Sequence, residues 1–479
     1  MKKFKVILLA CLFIGCANIN TAKKHKETLL LPYMLVDARV KVYHNDGTRS
    51  YKDYKPFKTR TVDLLSNYKN ANIDFSKYGG DLKKQTNDVT GFYHVKKIGD
   101  RWWGIDPLGY QYFNIALNSV TVGKSALNKL ALIEKFGSKE NWISNTVNML
   151  QSNGFNCAGS WSDVEAIVEA NKTLEKPFAY TINWNFMSSY GRKRGGTHQQ
   201  PGHTGYPNDA IFVFDPNFEI FCDEHAKQLL IYKNDPNLFG HFSDNEMPFK
   251  FKALDNYLSL KKDDYGYIAA NKWLLDNRIT KEQITDKHRE LFMAFVADKY
   301  FSTVSKAIKK YDPNHMYIGS RFYADEKNHP EFMKTAGKYL DVISNNYYNK
   351  WTPNTDDMIN WGKWTGKPFI VTEYYVKGED SGMGNTSGAG WIVRTQKDRG
   401  LFYQNYNLAL LESKNCVGWH YFKYQDNDPT AKGMDPSNID ANKGIVNNEY
   451  RVWEPMMEKM KALNNQVYSL IAYFDTNEK

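Results

Sequence analysis

Short apolar runs that end in polar or aromatic residues recur along the chain, and amphipathic stretches separate them. The runs are YFNIALNSV (112–120), NCAGSWSD (156–163), PFAYTINW (177–184), LFGHFSDNE (238–246), MYIGSRF (316–322), DVISNNYY (341–348), PFIVTEYY (368–375) and CVGWHYFKYQD (416–426). Helical patterns such as FEIFCDEHAKQLLIYK and KHRELFMAFVADKYFSTVSKAIKKY lie between them, and Lys-Pro or Asp-Pro-Asn often marks the return to the next run. Strands that are apolar throughout, alternating with helices, imply a parallel sheet covered by helices. A count of eight argues for a closed (β/α)₈ TIM barrel rather than an open doubly wound sheet, here spanning residues 91–470.

Residues 28–90 mix short apolar runs with an Asn-Asp-Gly turn at 45–47, which reads as a short N-terminal β-rich extension. FYHVKKIGDRWWGIDPLGYQYF, from Phe92, reads as a small β-meander with turns at Gly99 and Gly109. The stretch 185–214, rich in Gly, His, Arg and Gln, is a long loop after the third run, of the kind that shapes substrate sites. At the start, Lys2, Lys3 and Lys5 precede a short apolar stretch that is too short to span a bilayer. Gly15-Cys16 after Leu12-Phe13-Ile14 matches a lipoprotein cleavage box, so residues 1–16 are expected to be a signal with Cys16 lipidated and 17–27 a tether. An ordinary cleaved signal is the alternative. Either way the expected location is the bacterial cell envelope, lipid-anchored or secreted, with membrane contact only through the anchor.

Composition narrows the function further. A net charge of +10 without a basic cluster, on an exported chain of 479 residues, argues against nucleic acid as a partner. Cys157, Cys222 and Cys416 match no zinc or CxxC spacing and are expected to be buried thiols. The 12 Trp and 32 Tyr are a generous supply of flat amphipathic faces, suited to cores and to sugar clefts alike.

In a parallel barrel the C-terminal strand ends face the working site. The eight runs deliver there Asn118; Trp161 and Asp163; Asn183 and Trp184; Asp244, Asn245 and Glu246; Arg321; Asn345, Asn346, Tyr347 and Tyr348; Glu373; and Trp419 with His420. Amides and carboxylates hydrogen-bond hydroxyl groups, and indoles stack on the apolar faces of pyranose rings. Glu246 ends the fourth run and Glu373 the seventh, so the two can flank one glycosidic bond. Glycoside hydrolysis needs such a pair, one protonated and one ionised. Glu246 is assigned as acid/base and Glu373 as nucleophile, with Asn245 on the sugar 2-hydroxyl. Asn118, Trp161, Asn183, Trp184, Arg321, Tyr347 and Trp419 are the expected substrate contacts. Tyr347 or Tyr348 donates to Glu373. The two point to opposite faces of a strand, and Tyr347 is preferred for the cavity.

Asn-Glu on strand four and Glu on strand seven is the pattern of the clan A retaining glycosidases. FSDNEMPF (242–249) and VTEYYVKGEDSGMGNTSGAGWIVRTQKDRGLFYQNY (371–406) carry a closer resemblance, supported by GFNCAGSWSD and RWWGIDPLGYQYF: the chain resembles the family 50 β-agarases over roughly residues 90–425. The resemblance implies a retaining β-agarase-like glycoside hydrolase acting on a red-algal galactan such as agarose, with no cofactor. Those agarases carry a sizeable domain before the barrel, and the region here is shorter.

Plainer readings stand beside these. A lone Glu at a strand end is usually a rim ion pair, Trp161, Trp184 and Trp419 could each be core packing, and Arg321 could simply pair with Glu373 or Asp244. His198 and His203 lie in the long loop and are read as solvated; His241 and His420 are read as satisfied barrel residues. GMGNTSGAG (382–390) lacks phosphate-loop spacing and reads as a rim loop leading into a helix near Gly390. Asp426-Asn427-Asp428 reads as a turn rather than a calcium site, and no metal is expected. The functional alternatives are the same machinery on porphyran, carrageenan or β-mannan, and a surface lipoprotein that binds glycan without turnover.

Overall fold

A computed structural model describes residues 32–44, 49–195, 205–431 and 439–476. The anticipated lipidation site Cys16, the Asn-Asp-Gly turn at 45–47, and His198 and His203 lie outside the described residues.

Eight parallel strands form one sheet: β1 (Asn114–Leu117), β2 (Cys157–Ala158), β3 (Ala179–Asn183), β4 (Leu238–Phe242), β5 (Met316–Tyr317), β6 (Ile343–Asn346), β7 (Phe369–Glu373) and β8 (Cys416–Tyr421). Their order is β5-β4-β3-β2-β1-β8-β7-β6, so the sheet curls in the sense a TIM-like barrel needs. The two outer strands meet: Phe322, just past β5, bridges Asn345 of β6 in parallel, through Phe322 N to Ser344 O at 2.8 Å and Asn346 N to Phe322 O at 2.7 Å. Tyr112, Ala116, Cys157, Ala179, Phe242, Ile318, Val342, Ile370 and Val417 form a buried cluster of their own. A larger apolar cluster includes side chains of the helices that pack outside the sheet.

Helices begin where the sequence supplies caps. Ser125 and Thr395 make capping boxes with Asn128 and Asp398, while Asp215 caps a helix with Pro216 in its first turn. The Thr395 cap corrects one expectation. After GMGNTSGAG the chain forms a short strand, Trp391–Val393, and the helix starts only at Gln396, where Thr395 supplies the cap.

The meander is present as three antiparallel strands, His94–Ile98, Arg101–Ile105 and Gln111–Tyr112. Ahead of it, Met34–Arg39 and Lys55–Thr59 pair with each other and join a four-stranded sheet with Val376–Gly378 and Trp391–Val393, the two short strands that follow β7. Cys157, Cys222 and Cys416 are free and buried. Among the described residues no helix is long and apolar enough to cross a membrane.

Candidate active site

The residues that follow the C-terminal ends of six of the parallel strands are strained in the same way. Ser119, Trp161, Asn185, Glu246, Arg321 and Asn349, which follow β1 to β6 in turn, all have φ between 35° and 67°. A left-handed non-glycine residue costs roughly 1–3 kcal/mol, and such residues gather at functional sites. Here the kink lets the chain leave the strand while its side chain stays at the mouth.

Glu246 and Glu373 belong to one hydrogen-bonded set. Asn346 Nδ2 donates to Glu246 Oε1 at 2.7 Å. Thr372 Oγ1 donates to Asn346 Oδ1 at 2.8 Å, which fixes the amide the right way round. Arg321 reaches Glu373 Oε1 with Nη2 at 2.6 Å and Asn245 Oδ1 with Nη1 at 2.9 Å. The Tyr348 hydroxyl donates to the other oxygen of Glu373 at 2.5 Å. Asn118, fully buried, donates to the carbonyl of Thr372 at 2.7 Å and so braces the end of β7 from below. Both carboxyl groups are nearly buried, Glu246 at 8% and Glu373 at 6% exposure.

The electrostatics single out Glu246. Burial raises the Glu246 carboxyl, and the charge of Glu373 raises it further, to about 8. The Asn346 hydrogen bond and the Arg321 charge oppose this without reversing it. Glu373 keeps a guanidinium and a phenol hydroxyl on its two oxygens, which fix the carboxyl group from both sides. A carboxyl raised enough to keep its proton near neutral pH, beside a second carboxyl held in place by a guanidinium and a phenol, is an arrangement that acid-assisted nucleophilic displacement at an acetal carbon can use.

No protein-family profile matches the chain. Over 377 residues it is 28% identical to Beta-agarase B of Vibrio sp. (strain JT0107), covering 69% of this chain and 36% of that protein. Beta-agarase A of the same strain is 27% identical over 386 residues, 70% of this chain and 37% of that protein. The chain therefore spans little more than a third of the length of the curated relatives it matches. The crystal structure of BpGH50 is 31% identical and superposes with a TM-score of 0.80, over 92% of this chain and 96% of that one. The chain belongs to glycoside hydrolase family 50.

In this family 50 chain the anticipated contact residues divide. Arg321 and Asn245 stand with the two glutamates. Trp161 is 40% exposed, and the Arg321 guanidinium lies 5.7 Å from its ring centre, so an open indole face adjoins the acid pair. Asn183, at the end of β3, keeps both amide atoms buried with no protein partner among the described residues.

Three aromatic expectations need correction. The Tyr347 hydroxyl turns away to Asp357; Tyr348 faces Glu373 instead. Trp419 is fully buried, its ring against Phe113 and its indole N–H on the Tyr403 hydroxyl at 2.8 Å, in the layer behind the sheet. Trp184 packs against Tyr232 and donates to His241 Nδ1 at 2.9 Å, also away from the acid pair.

Other polar groups at the strand ends have structural work. Asp244 is fully buried and accepts from the backbone of Met187 and Ser188 and from the Tyr300 hydroxyl, anchoring the first turn of the helix Phe186–Arg194. Asp163 caps Val164–Asn171. His420 bonds Asn114 through Nε2 at 2.9 Å, and burial, with the Arg321 charge, holds it down to about 3, so it is neutral. Asp426 is spent on Asn442, Gly444 and Trp453.

His241, Asp312 and His315 are buried and close enough for a metal ion. Both rings already grip one oxygen of Asp312, at 2.8 and 2.7 Å. The indole N–H of Trp184 can only donate, so His241 Nδ1 is an acceptor and Nε2 carries the proton it gives to Asp312. That nitrogen has no lone pair left for a metal.

Asn346 and Tyr348 were visible in the sixth run but could not be ranked there. β6 ends at Asn346, and beyond a strand end alternation no longer fixes which side chain turns inward. Thr372 had no signal in the sequence beyond its place next to Glu373.

Proposed function

We propose that the chain is a retaining β-glycosidase with a closed (β/α)₈ barrel that cleaves β-galactosidic linkages of agarose or a related red-algal galactan. Glu246 is the acid/base and Glu373 the nucleophile. In the first step a Glu373 oxygen bonds the anomeric carbon as the glycosidic C–O bond breaks, and Glu246 gives its proton to the departing oxygen. In the second, Glu246 takes a proton from water, whose oxygen displaces Glu373. Asn245, held by Arg321, bonds the 2-hydroxyl. Trp161 offers its face to a neighbouring sugar. Attachment to the cell envelope through Cys16 belongs to the same proposal.

One observation carries this reading: two nearly buried glutamates at the ends of β4 and β7 share one hydrogen-bonded cluster, in which burial and the neighbouring Glu373 raise the Glu246 carboxyl. Two relatives named β-agarases favour agarose over the other galactans. The test is incubation with agarose, porphyran and carrageenan, with products sized and the first-formed anomer followed by NMR. Glu246→Ala and Glu373→Ala should each fold normally and lose nearly all turnover, and azide should give Glu373→Ala an inverted product. Turnover retained in either variant, or an inverted product from the unaltered chain, would sink the assignment. Binding across the panel without hydrolysis would instead favour a glycan-capturing surface protein.

A further inference from the structure

The N-terminal strands are tied to the segment that follows Glu373. Met34–Arg39 pairs antiparallel with Trp391–Val393, matching Ala38 with Val393 and Arg39 with Ile392. That strand in turn pairs in parallel with Val376–Gly378, which begins three residues after Glu373. Between the two short strands, the turn 385–388 presents its carbonyl oxygens to two buried ammonium groups. Lys41 Nζ donates to Thr386 O at 2.9 Å and Gly388 O at 2.7 Å. Lys377 Nζ donates to Ser387 O at 3.0 Å and to Asn385 O and Gly388 O at 3.3 Å. The Tyr51 hydroxyl donates to Asn385 O. Arg39 and Tyr54 both meet Glu379, at 3.0 and 2.8 Å.

The same turn bears on the candidate nucleophile. At Gly390, with φ of 80°, an added β-carbon would lie 2.6 Å from the carbonyl oxygen of Tyr375 and 3.3 Å from its ring, so the loop closes directly onto that residue. The Tyr375 ring meets the Tyr348 ring edge-on at 5.4 Å, and Tyr348 donates to Glu373. A continuous path of contacts thus runs from the N-terminal strands through the loop and Tyr375 to Tyr348.

We infer that the strands Met34–Arg39 and Lys55–Thr59 are a positioning element of the active site, with Lys41 and Tyr51 as positioning residues that act through Tyr348 on Glu373. The inference rests on reading Glu373 as the nucleophile. It gives the N-terminal strands a positioning role in catalysis. A rigid Tyr375 keeps the Tyr348 hydroxyl on the oxygen of Glu373 that does not attack, so the other oxygen stays aimed at the anomeric carbon.

The test is a double-mutant cycle in the full-length protein, with kcat and KM measured on a soluble agarose oligosaccharide. Lys41→Met, or Tyr51→Phe where Lys41→Met does not fold, should lower kcat by about fivefold or more while KM stays within about twofold, since positioning acts on the transition state. On a Tyr348→Phe background the same change should add less than about twofold, the coupling expected of residues acting as one unit. Equal losses on both backgrounds would overturn the inference, as would unchanged kcat in a folded variant whose 385–393 amides exchange faster with deuterium. Full activity in Tyr348→Phe would overturn it too. Turnover by Glu373→Ala would instead overturn the reading of the nucleophile, so the two failures are distinguishable.

Discussion

Arg321 and Glu373 meet at 2.6 Å at the C-terminal end of the parallel sheet, with the guanidinium wholly buried and its other terminal nitrogen on Asn245. The side chain thus fixes three strand ends at once, since β4 leads to Asn245, β5 to Arg321 and β7 to Glu373. A planar fork can do this and a point charge cannot. Arg321→Lys should therefore lose activity by about 100-fold, the order that a misplacement of roughly 1 Å in a catalytic group costs. Kinetics on agarose check this, and circular dichroism confirms that the barrel remains. A lysine variant with wild-type kcat would show that the fork geometry is dispensable.

Tyr348 and Tyr347 are neighbours with separate tasks. Tyr348→Phe removes a hydrogen bond to a charged group, worth about 1.5–3 kcal/mol, and should lower kcat by a corresponding ten- to hundredfold. Tyr347→Phe removes the bond to Asp357 and should lower stability by about 1–3 kcal/mol with kcat unchanged. Thermal melts and kcat on the same two samples separate the roles, and the reverse pattern would exchange them.

The proton on Glu246 sets the alkaline side of the pH–rate profile. The acid acts only when protonated, so turnover falls as pH rises through its titration. Burial first, and Glu373 second, raise that titration, which places the loss near pH 8 rather than in the ordinary glutamate range. Asn346 donates to the charged form and lowers the titration, so Asn346→Ala should shift the alkaline limb to higher pH. In Glu373→Gln one repelling charge is gone, and the Glu246 carboxyl, followed by carbon-13 NMR, should titrate lower than in the unaltered chain. A limb below pH 6, or a shift to higher pH in Glu373→Gln, would contradict this ordering.

Much of the molecule was legible before any coordinates. Eight apolar runs became eight parallel strands because strands buried on both faces must be apolar throughout, and that leaves a clear trace. Glu246, Glu373 and Asn245 could be picked out because a charged or amide group at the end of such a run needs a reason to be there. The aromatic residues were harder to read. Trp419 and Trp184 lie in or at the end of their strands as Trp161 does, yet their indole N–H groups find partners elsewhere, Tyr403 of the helix Gln396–Glu412 and His241 of β4. The runs show that an aromatic residue lies near a strand end; they do not show which way it turns, because the left-handed kinks after β2 and β3 break the alternation around Trp161 and Trp184, and the helix that holds Trp419 is not marked in its own run. The tie between the N-terminal strands and the segment after β7 joins residues more than 300 positions apart, and no local pattern announces such a pairing.

Trp161 and Trp419 give that difference a measurable form. Trp161→Ala removes an exposed ring from a strained backbone, so stability should change by less than about 1 kcal/mol, while KM should rise several-fold through loss of stacking. Trp419→Ala empties a fully buried site and should cost about 3–5 kcal/mol, with KM unchanged at temperatures where the protein stays folded. Denaturant melts paired with KM determinations decide between these outcomes. An unchanged KM in Trp161→Ala would remove that indole from the proposed substrate contacts.

The Asp312 pair with His241 and His315 should govern acid stability. Burial alone would raise the Asp312 carboxyl, but hydrogen bonds from the two imidazoles hold it well below the usual carboxylate range. A carboxyl depressed in the folded state contributes stability that is complete above its unfolded value of about 4 and is lost as pH falls further, through the folded value. Asp312 also accepts from the backbone of Asn314 and His315, so it closes the turn that leads into β5. Asp312→Asn keeps the shape of the group and removes its charge. At pH 7 the variant should be less stable by several kcal/mol, the scale of breaking a buried ion pair. Between pH 4 and pH 2 its stability should fall less steeply than that of the unaltered protein, because one protonation linked to unfolding has been removed. Urea melts across that pH range measure both effects, and parallel stability curves for the two proteins would assign the acid sensitivity to other carboxyl groups.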